Sequence, residues 1–158
     1  MFQIKAIDQN DRNWVCQVVE AQWGSTRVVT RGRIYLINQL PGFIAVKKGA
    51  RLGLVTYRIE GKQCEIVTLN SFVEGIGVGS SLVDKVRNVA ICAKCDRLWL
   101  ITTNDNMKAL RFYQKLGFHL VAVHRDALEK SRRLKPEIPR VGLDGIPLRD
   151  EIELEMLL

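Results

Sequence analysis

Three alternate glycines between Glu74 and Ser81 constrain the fold of this chain more than any other feature. Gly75, Gly77 and Gly79 follow an apolar, strand-like run and precede an amphipathic run with helical spacing. Because glycine has no Cβ, the backbone there can adopt positive φ and approach a ligand closely. The start of the following helix adds unpaired N–H groups and the positive end of a dipole. The stretch therefore predicts either a phosphate-binding loop or a flexible strand-to-helix turn.

The spacing of these glycines excludes two common phosphate loops. No Lys-Ser or Lys-Thr follows Gly79, as a nucleoside triphosphate loop requires, and the order G-x-G-x-G differs from the G-x-G-x-x-G of dinucleotide folds. Asp96 lies at a suitable distance downstream for a ribose-binding acid. However, it precedes the apolar run 98–101, which places it at the wrong end of a strand.

The size and composition of the chain indicate an ordinary globular protein. It has 158 residues, of which 47% are hydrophobic and 26% charged, and this length predicts one domain over residues 1–158. No apolar run reaches the roughly 18 residues of a membrane span, and the N-terminus lacks the apolar core of a signal peptide. We therefore expect a cytoplasmic protein with no membrane partner.

The formal net charge of +7 favours a polyanionic partner. Lys and Arg are nevertheless spread along the chain, with one modest cluster at Lys130, Arg132, Arg133 and Lys135. A nucleic-acid-binding protein usually concentrates its basic residues and interleaves them with aromatics. Nucleic acid is therefore not the expected main ligand, and a phosphorylated cofactor or a solvated basic surface explains the charge equally well.

The cysteines do not predict a metal site. Cys92 and Cys95 form a C-x-x-C, but no second Cys or His pair follows at zinc spacing. Both fall within a helical pattern. We interpret them as ordinary helix residues in a reducing compartment and expect no metal.

Apolar periodicity divides the chain into alternating strands and helices, and only residues 27–39 are ambiguous. The last strand, with Glu151, Glu153 and Glu155 at alternate positions, should have one face in water. The predicted elements are a strand at 2–6, a helix at 11–23 capped by Asp11, antiparallel strands at 43–47, 52–59 and 63–69, a helix after the glycines, a buried strand at 97–101, a helix from Met107 to Gly117, a strand at 118–124, a short basic helix at 126–135, an irregular segment at 136–147 and the last strand.

This order predicts a mixed α/β fold of the α+β type. We expect a single central, mixed and mostly antiparallel sheet of six to seven strands, flanked by helices.

The segment from Asn106 to Phe118 reads Asn-Met-Lys-Ala-Leu-Arg-Phe-Tyr-Gln-Lys-Leu-Gly-Phe. It resembles the Asn-x-x-Ala-x-x-x-Tyr-x-x-x-Gly-Phe signature of the GNAT superfamily of acyl-CoA-dependent N-acetyltransferases. The resemblance extends over residues 1–118 and the last strands. One position departs from the family pattern, because Glu74 stands where the family has Arg or Gln. We expect its side chain to point to solvent, away from the cofactor.

The resemblance implies acetyl-CoA as the acyl donor. Its pantetheine arm would lie between the strand ending at Leu69 and the strand ending at Ile101, with backbone groups of Val67 and Leu69 binding its amides and the thioester carbonyl. Asn106 either bonds the cofactor arm or caps its helix. The pyrophosphate would bind backbone amides of Gly75, Ile76, Gly77, Val78, Gly79 and Ser80.

The same resemblance assigns the catalytic roles. Tyr113 would be the general acid that protonates the departing thiolate, since a tyrosine remains protonated at neutral pH. Glu65, which strand alternation places on the same face as Val67 and Leu69, is a candidate general base. A water could be the base instead, and a solvent-exposed strand carboxylate is an equally good interpretation of Glu65. His124 and Asp105 are further candidates, more typical of a surface histidine and a helix cap.

The implied reaction is transfer of an acetyl group from acetyl-CoA to a primary amine by direct attack in a ternary complex. A catalytically silent acyl-CoA-binding sensor or interaction module is the alternative. Residues 23–39 and 125–149 match the family least and would select the acceptor. A homodimer is a possible assembly.

Overall fold

The computed structural model describes all 158 residues and contains nine strands and four helices. Three short 3-10 turns at Gln9–Asp11, Ile37–Gln39 and Leu143–Gly145 complete the regular structure. In chain order the elements are β1 (Gln3–Ala6), α1 (Arg12–Trp23), β2 (Arg27–Thr30), β3 (Arg33–Leu36), β4 (Gly42–Lys47), β5 (Ala50–Glu60), β6 (Gln63–Ser71), α2 (Val78–Cys92), β7 (Arg97–Thr103), α3 (Met107–Lys115), β8 (His119–His124), α4 (Ala127–Leu134) and β9 (Glu151–Leu157).

Seven of the strands belong to one mixed sheet, and β2 and β3 form a separate two-stranded ribbon. The predicted fold class is therefore confirmed. The ambiguous residues 27–39 form that ribbon and a 3-10 turn. None of the four helices combines the length and the hydropathy that a membrane span requires.

The chain groups into two compact units. Unit 1 contains Met1–Thr26, Leu36–Leu98 and Leu157–Leu158, and unit 2 contains Arg27–Tyr35 and Trp99–Met156. The expectation of a single domain stays a prediction.

Unit 1 is built on the antiparallel strands β1, β4, β5 and β6, adjacent in that order. Helix α2 buries the apolar stripe that its spacing predicts, including Val78, Leu82 and Val86. Gly53 on β5 allows this helix to approach closely, because a Cβ there would lie 2.6 Å from Val78 and 2.8 Å from the carbonyl oxygen of Asn70. Any larger residue at position 53 would push α2 away from the sheet.

Asp11 occupies the predicted N-cap position of α1, but its side chain does not act as the cap. The Asp11 carboxylate makes no cap hydrogen bond to the helix, and Asp8 instead caps the 3-10 turn before it. Asp11 is buried and accepts hydrogen bonds from Lys5 at 2.8 Å and from Arg51 at 3.2 Å. Burial alone would raise the pKa of Asp11, but the hydrogen bond from the Asp8 N–H and the two cations lower the pKa to about 2.

Unit 2 contains the antiparallel pair β8 and β9. The expectation that the glutamates of β9 face water is wrong for two of them, because Glu151 and Glu153 are buried. Glu151 accepts hydrogen bonds from the Thr30 hydroxyl at 2.7 Å and from the Arg31 N–H at 3.1 Å. Glu153 pairs with the Arg31 guanidinium at 3.1 Å. The ribbon formed by β2 and β3 thus supplies the polar partners that make burial of these carboxylates tolerable.

The segment after β8 is held by side-chain to backbone hydrogen bonds, since its prolines and glycines exclude long regular elements. Arg132 on α4 donates to the carbonyls of Ile138, Pro139 and Leu148. The buried Lys135 ammonium donates to the Arg27 carbonyl at 2.9 Å. These contacts connect this segment to the ribbon within unit 2.

Candidate active site

The glycine turn, residues 74–80, consists of the end of the predicted connection between β6 and α2 and the first three residues of α2. Gly75 and Gly77 both adopt φ of +80°, a left-handed conformation that costs any residue with a Cβ roughly 1–2 kcal/mol. Gly77 is the N-cap of α2 and provides no side-chain cap. The first amides of α2 therefore have no intrahelical acceptor, and the helix dipole adds positive potential at the same point. This arrangement suits a phosphate group.

The side chains of the glycine turn leave the backbone accessible. Glu74, Gly75, Ile76 and Gly77 are all exposed, which agrees with the expectation that the Glu74 side chain reaches solvent. The Ser80 hydroxyl donates to the Gly77 carbonyl at 3.1 Å. The site thus consists mainly of amides fixed by two glycine conformations.

Glu65 lies on β6, but not on the face that its spacing predicts. The register between β5 and β6 shifts between Thr56 and Tyr57, so that Thr56 pairs with Thr68 and Tyr57 with Ile66. Val67 is the extra residue, and such a bulge exchanges the faces that follow it. Residues directly opposite each other share a face, so Glu65 shares its face with Thr68 and Asn70, and Leu69 lies on the other face. The prediction that Glu65 shares a face with Leu69 is therefore wrong.

The surroundings of Glu65 also differ from the open strand position considered above. Glu65 is only 4% exposed and lies opposite Arg58 in the ladder. Two residues along the same face, the hydroxyls of Thr56 and Thr68 are hydrogen-bonded at 2.7 Å, and both side chains are buried. Glu65 is thus the first member of a row of buried polar side chains.

Tyr113 is on α3 in unit 2 and is 7% exposed. Its ring packs edge-to-face on Phe112, with centroids 5.1 Å apart, and on Phe118, with centroids 5.4 Å apart. Burial raises the pKa of Tyr113 above its usual value of 10. The side chain therefore remains a protonated donor over the whole neutral and moderately alkaline range.

The remaining polar candidates each have a different hydrogen-bond partner. Asn106 caps α3, because its side-chain oxygen accepts from the Ala109 N–H at 3.1 Å. Asp105 is not the helix cap that we expected, because its carboxylate accepts from the Leu143 N–H at 2.8 Å and from the Thr103 hydroxyl. The Nε2 atom of His124 lies 3.0 Å from the Oε1 atom of Glu153.

Comparison with known proteins identifies the family. The Acetyltransferase (GNAT) family profile matches residues 11–118, which include the glycine turn and the whole of α3. The chain belongs to this family. Membership of the GNAT family makes it an acyl-CoA-dependent acetyltransferase.

Two Bacillus subtilis (strain 168) proteins are similar to this GNAT chain. The uncharacterized protein YdhI is 47% identical over 131 residues, 82% of each chain. The uncharacterized protein YxbD is 37% identical over 147 residues, 92% of each chain. A GNAT family acetyltransferase from Elizabethkingia anophelis, solved with acetyl-CoA bound, has a TM-score of 0.77 at 17% identity and covers 99% of this chain and 98% of its own. This last similarity supports the fold.

Several site features could not be found from the GNAT sequence pattern. The hydrogen bonds from Lys135 to Arg27 and from Thr30 to Glu151 join residues more than a hundred positions apart, and no local motif marks such pairs. The only sequence signal for these contacts is that residues 23–39 and 125–149 match the family least. No group of three or more His, Cys, Asp or Glu side chains is placed to hold a metal ion.

Proposed function

We propose that the protein transfers an acetyl group from acetyl-CoA to a primary amine by direct attack in a ternary complex. The observation that carries this proposal is the glycine turn, in which two left-handed glycines leave the first α2 amides without a side-chain cap and available to an anion. The bound acetyl-CoA in the related Elizabethkingia anophelis structure supports the choice of anion.

The donor would be held mainly by backbone atoms. The amides of Gly75, Ile76, Gly77, Val78, Gly79 and Ser80 would bind its pyrophosphate. Backbone groups of Val67 and Leu69 would bind the pantetheine amides and the thioester carbonyl. The bulge at Val67 supports this role, because it places one residue of β6 outside the ladder to β5. Asn106 caps α3 through its oxygen, so a bond to the cofactor arm would use its amide nitrogen.

The chemistry needs one proton acceptor and one proton donor. The amine must lose a proton before its lone pair attacks, and Glu65 or a water next to it would accept that proton. A C–N bond then forms, the carbonyl oxygen gains negative charge and the C–S bond breaks. Tyr113 would donate its phenolic proton to the departing thiolate, and the second proton that the attacking nitrogen must lose would return to the Tyr113 oxygen through water. The products are the N-acetylated amine and CoA with a free thiol.

The buried Tyr113 predicts the pH dependence of this reaction. Because its pKa is raised, it should not ionise as the pH rises to 9 or 10. The turnover rate should therefore increase with pH as more of the amine becomes neutral, and then reach a plateau without a fall on the alkaline side. A decrease in kcat near pH 9 would contradict the proposed state of Tyr113.

A panel of amines tests the proposal directly. CoA-thiol release should depend on an added primary amine, and Tyr113→Phe should lower kcat by about 100-fold or more with little change in the KM for acetyl-CoA. Tyr57→Phe is a matched control, because Tyr57 is also partly buried and stacks on Phe43. An unchanged kcat in Tyr113→Phe would remove this residue from the acid role.

A further inference from the structure

The Arg31 guanidinium in unit 2 lies between an indole ring and a buried carboxylate. Its Cζ atom is 5.9 Å from the centroid of the Trp99 ring, and its Nη1 atom is 3.1 Å from Oε1 of Glu153. An aromatic ring attracts a cation through its quadrupole, and a carboxylate accepts a charge-assisted hydrogen bond from it. Trp99 and Glu153 together therefore form a cation site, and the chain's own Arg31 occupies it.

The cation site can be reached from solvent when the Arg31 side chain rotates away. That side chain is 43% exposed, whereas the side chain of Glu153 is 7% exposed. Because the group that covers Oε1 of Glu153 belongs to a partly exposed side chain, its rotation opens a path from solvent to this oxygen. The ribbon itself can stay in place, because the Thr30 hydroxyl and the Arg31 N–H are bound separately to Glu151, at 2.7 and 3.1 Å.

The cation site keeps its geometry and its negative charge without the guanidinium. Nε2 of His124 lies 3.0 Å from the same Oε1 atom of Glu153, so this carboxylate retains a hydrogen-bond partner. Glu151 is also buried and shares a face of β9 with Glu153. Its hydrogen bonds come from a hydroxyl and an amide, which carry no charge. A second cation is therefore favoured at the position that Arg31 leaves, since buried carboxylates without a cation are costly.

The cation site is also close to the strand end proposed to hold the donor. Trp99 is on β7, two residues before Ile101, where the pantetheine arm is expected to lie. Two residues of a strand span roughly 7 Å. An acceptor whose amine reaches the thioester can therefore place a second group over Trp99 when a short flexible chain joins the two.

We propose that the cation site binds a second cationic group of the acceptor, and that Arg31 is an internal stand-in which the acceptor displaces. The acceptor is then a primary amine that carries a second ammonium or guanidinium group on a short chain. This inference rests on the proposed amine acetylation and adds the substrate class.

Arg31→Ala tests the stand-in role, and Lys48→Ala is its matched control. Arg31 has φ of +48° and is followed by Gly32 at +72°, and Lys48 has φ of +49° and is followed by Gly49 at +79°. The two side chains are thus removed from turns of similar conformation. Alanine at position 31 keeps the N–H that donates to Glu151, so the ribbon should stay docked.

Agmatine and butylamine are matched probes, because agmatine adds a guanidinium to the same primary amine and alkyl chain. Binding is followed by the NMR shift of the Trp99 indole N–H, and transfer by CoA-thiol release. For the wild-type protein we expect a KM for agmatine roughly tenfold lower than for butylamine. Glu153→Gln should remove this preference, so that the two KM values become similar. Equal KM values in the wild type would overturn the inference.

The decisive result is a gain of affinity. Arg31→Ala should lower the dissociation constant of agmatine by roughly threefold or more, because the guanidinium no longer competes for the site, and Lys48→Ala should match the wild type. An arginine with a merely structural role predicts the opposite. Agmatine binding that is unchanged or weaker in Arg31→Ala would therefore contradict the stand-in role.

Two results separate this inference from the proposed function. If butylamine and agmatine support thiol release with the same KM, and agmatine does not shift the Trp99 signal, the cation site is not an acceptor subsite and amine acetylation stands. If agmatine shifts the Trp99 signal but no amine supports thiol release, the proposed function fails, and the acceptor role of the cation site fails with it.

Discussion

The glycine turn of unit 1 and the ribbon-and-insertion network of unit 2 are built in opposite ways. The turn is a continuous segment in which backbone amides are the groups proposed to bind the donor, and the conformations of Gly75 and Gly77 fix them. The ribbon-and-insertion network consists of Thr30, Arg31, Lys135 and Glu151. Its side chains come from three separate segments. In the proposed function, a donor common to many enzymes is bound by backbone conformation alone. Contacts particular to one chain require individual side chains.

The largest expected effect tests whether the conformation of the turn is what binds acetyl-CoA. Gly75→Ala should weaken acetyl-CoA binding by roughly 10- to 100-fold, because hydrogen bonds to a charged group contribute about 1.5–3 kcal/mol each and the strained turn would lose at least one. Isothermal titration with acetyl-CoA measures this effect.

Gly49→Ala is the matched control for that experiment. Gly49 has φ of +79° and Gly75 has φ of +80°, and a Cβ at either position would have nothing within 4 Å. Both substitutions should therefore cost a similar free energy of unfolding, roughly 1–2 kcal/mol, but only Gly75→Ala should affect the cofactor. Equal acetyl-CoA affinities in the two variants would show that the turn is not the donor site.

The same contrast explains how much the sequence could predict. The strands β4, β5 and β6, the glycine turn and α2 follow local rules of periodicity and glycine chemistry, and their predicted positions were confirmed within a few residues. The bulge at Val67 was not predictable, because it depends on how two strands pair rather than on the alternation within one. As a result, the face of Glu65 was assigned incorrectly.

The burial of charged side chains also could not be predicted from local sequence patterns. Glu151, Glu153 and Glu155 alternate with apolar residues as a half-exposed strand would. Glu151 and Glu153 are nevertheless buried, because Thr30 and Arg31 reach them from a distant segment. The carboxylate of Asp11 was mistaken for a cap for a similar reason, since its partner Arg51 lies forty residues away.

The next effect concerns the buried carboxylate of Asp11 in unit 1, which Lys5 and Arg51 bind. Its pKa of about 2 lies below the ordinary value of 3.8, so it contributes stability that is present above pH 4 and is lost as the pH falls through 2. The difference corresponds to about 2 kcal/mol. Asp11→Asn should lower the free energy of unfolding at pH 7 by about this amount, as measured by urea denaturation.

Asp8→Asn is the control for Asp11, because asparagine caps a helical turn about as well as aspartate. The difference in stability between wild type and Asp11→Asn should decrease as the pH is lowered from 5 to 2. A difference that stays constant over this range would mean that the ion pairs with Lys5 and Arg51 do not determine the stability of this region.

The smallest expected effect tests whether the network of unit 2 contributes to acceptor selection and not merely to folding. Glu151→Gln keeps the size of the side chain but removes the charge that holds the Thr30 hydroxyl and the Arg31 N–H. The cost in unfolding free energy should be about 1–2 kcal/mol, because a hydrogen bond to a neutral acceptor contributes about 1 kcal/mol less than one to a charged acceptor. Because the ribbon would become mobile, the KM for the amine should rise severalfold while the KM for acetyl-CoA stays within error.

Glu155→Gln on the same strand, at a more exposed position, should change neither constant. If Glu151→Gln instead raised the KM for acetyl-CoA as much as that for the amine, the division of labour between the glycine turn and the network would be wrong.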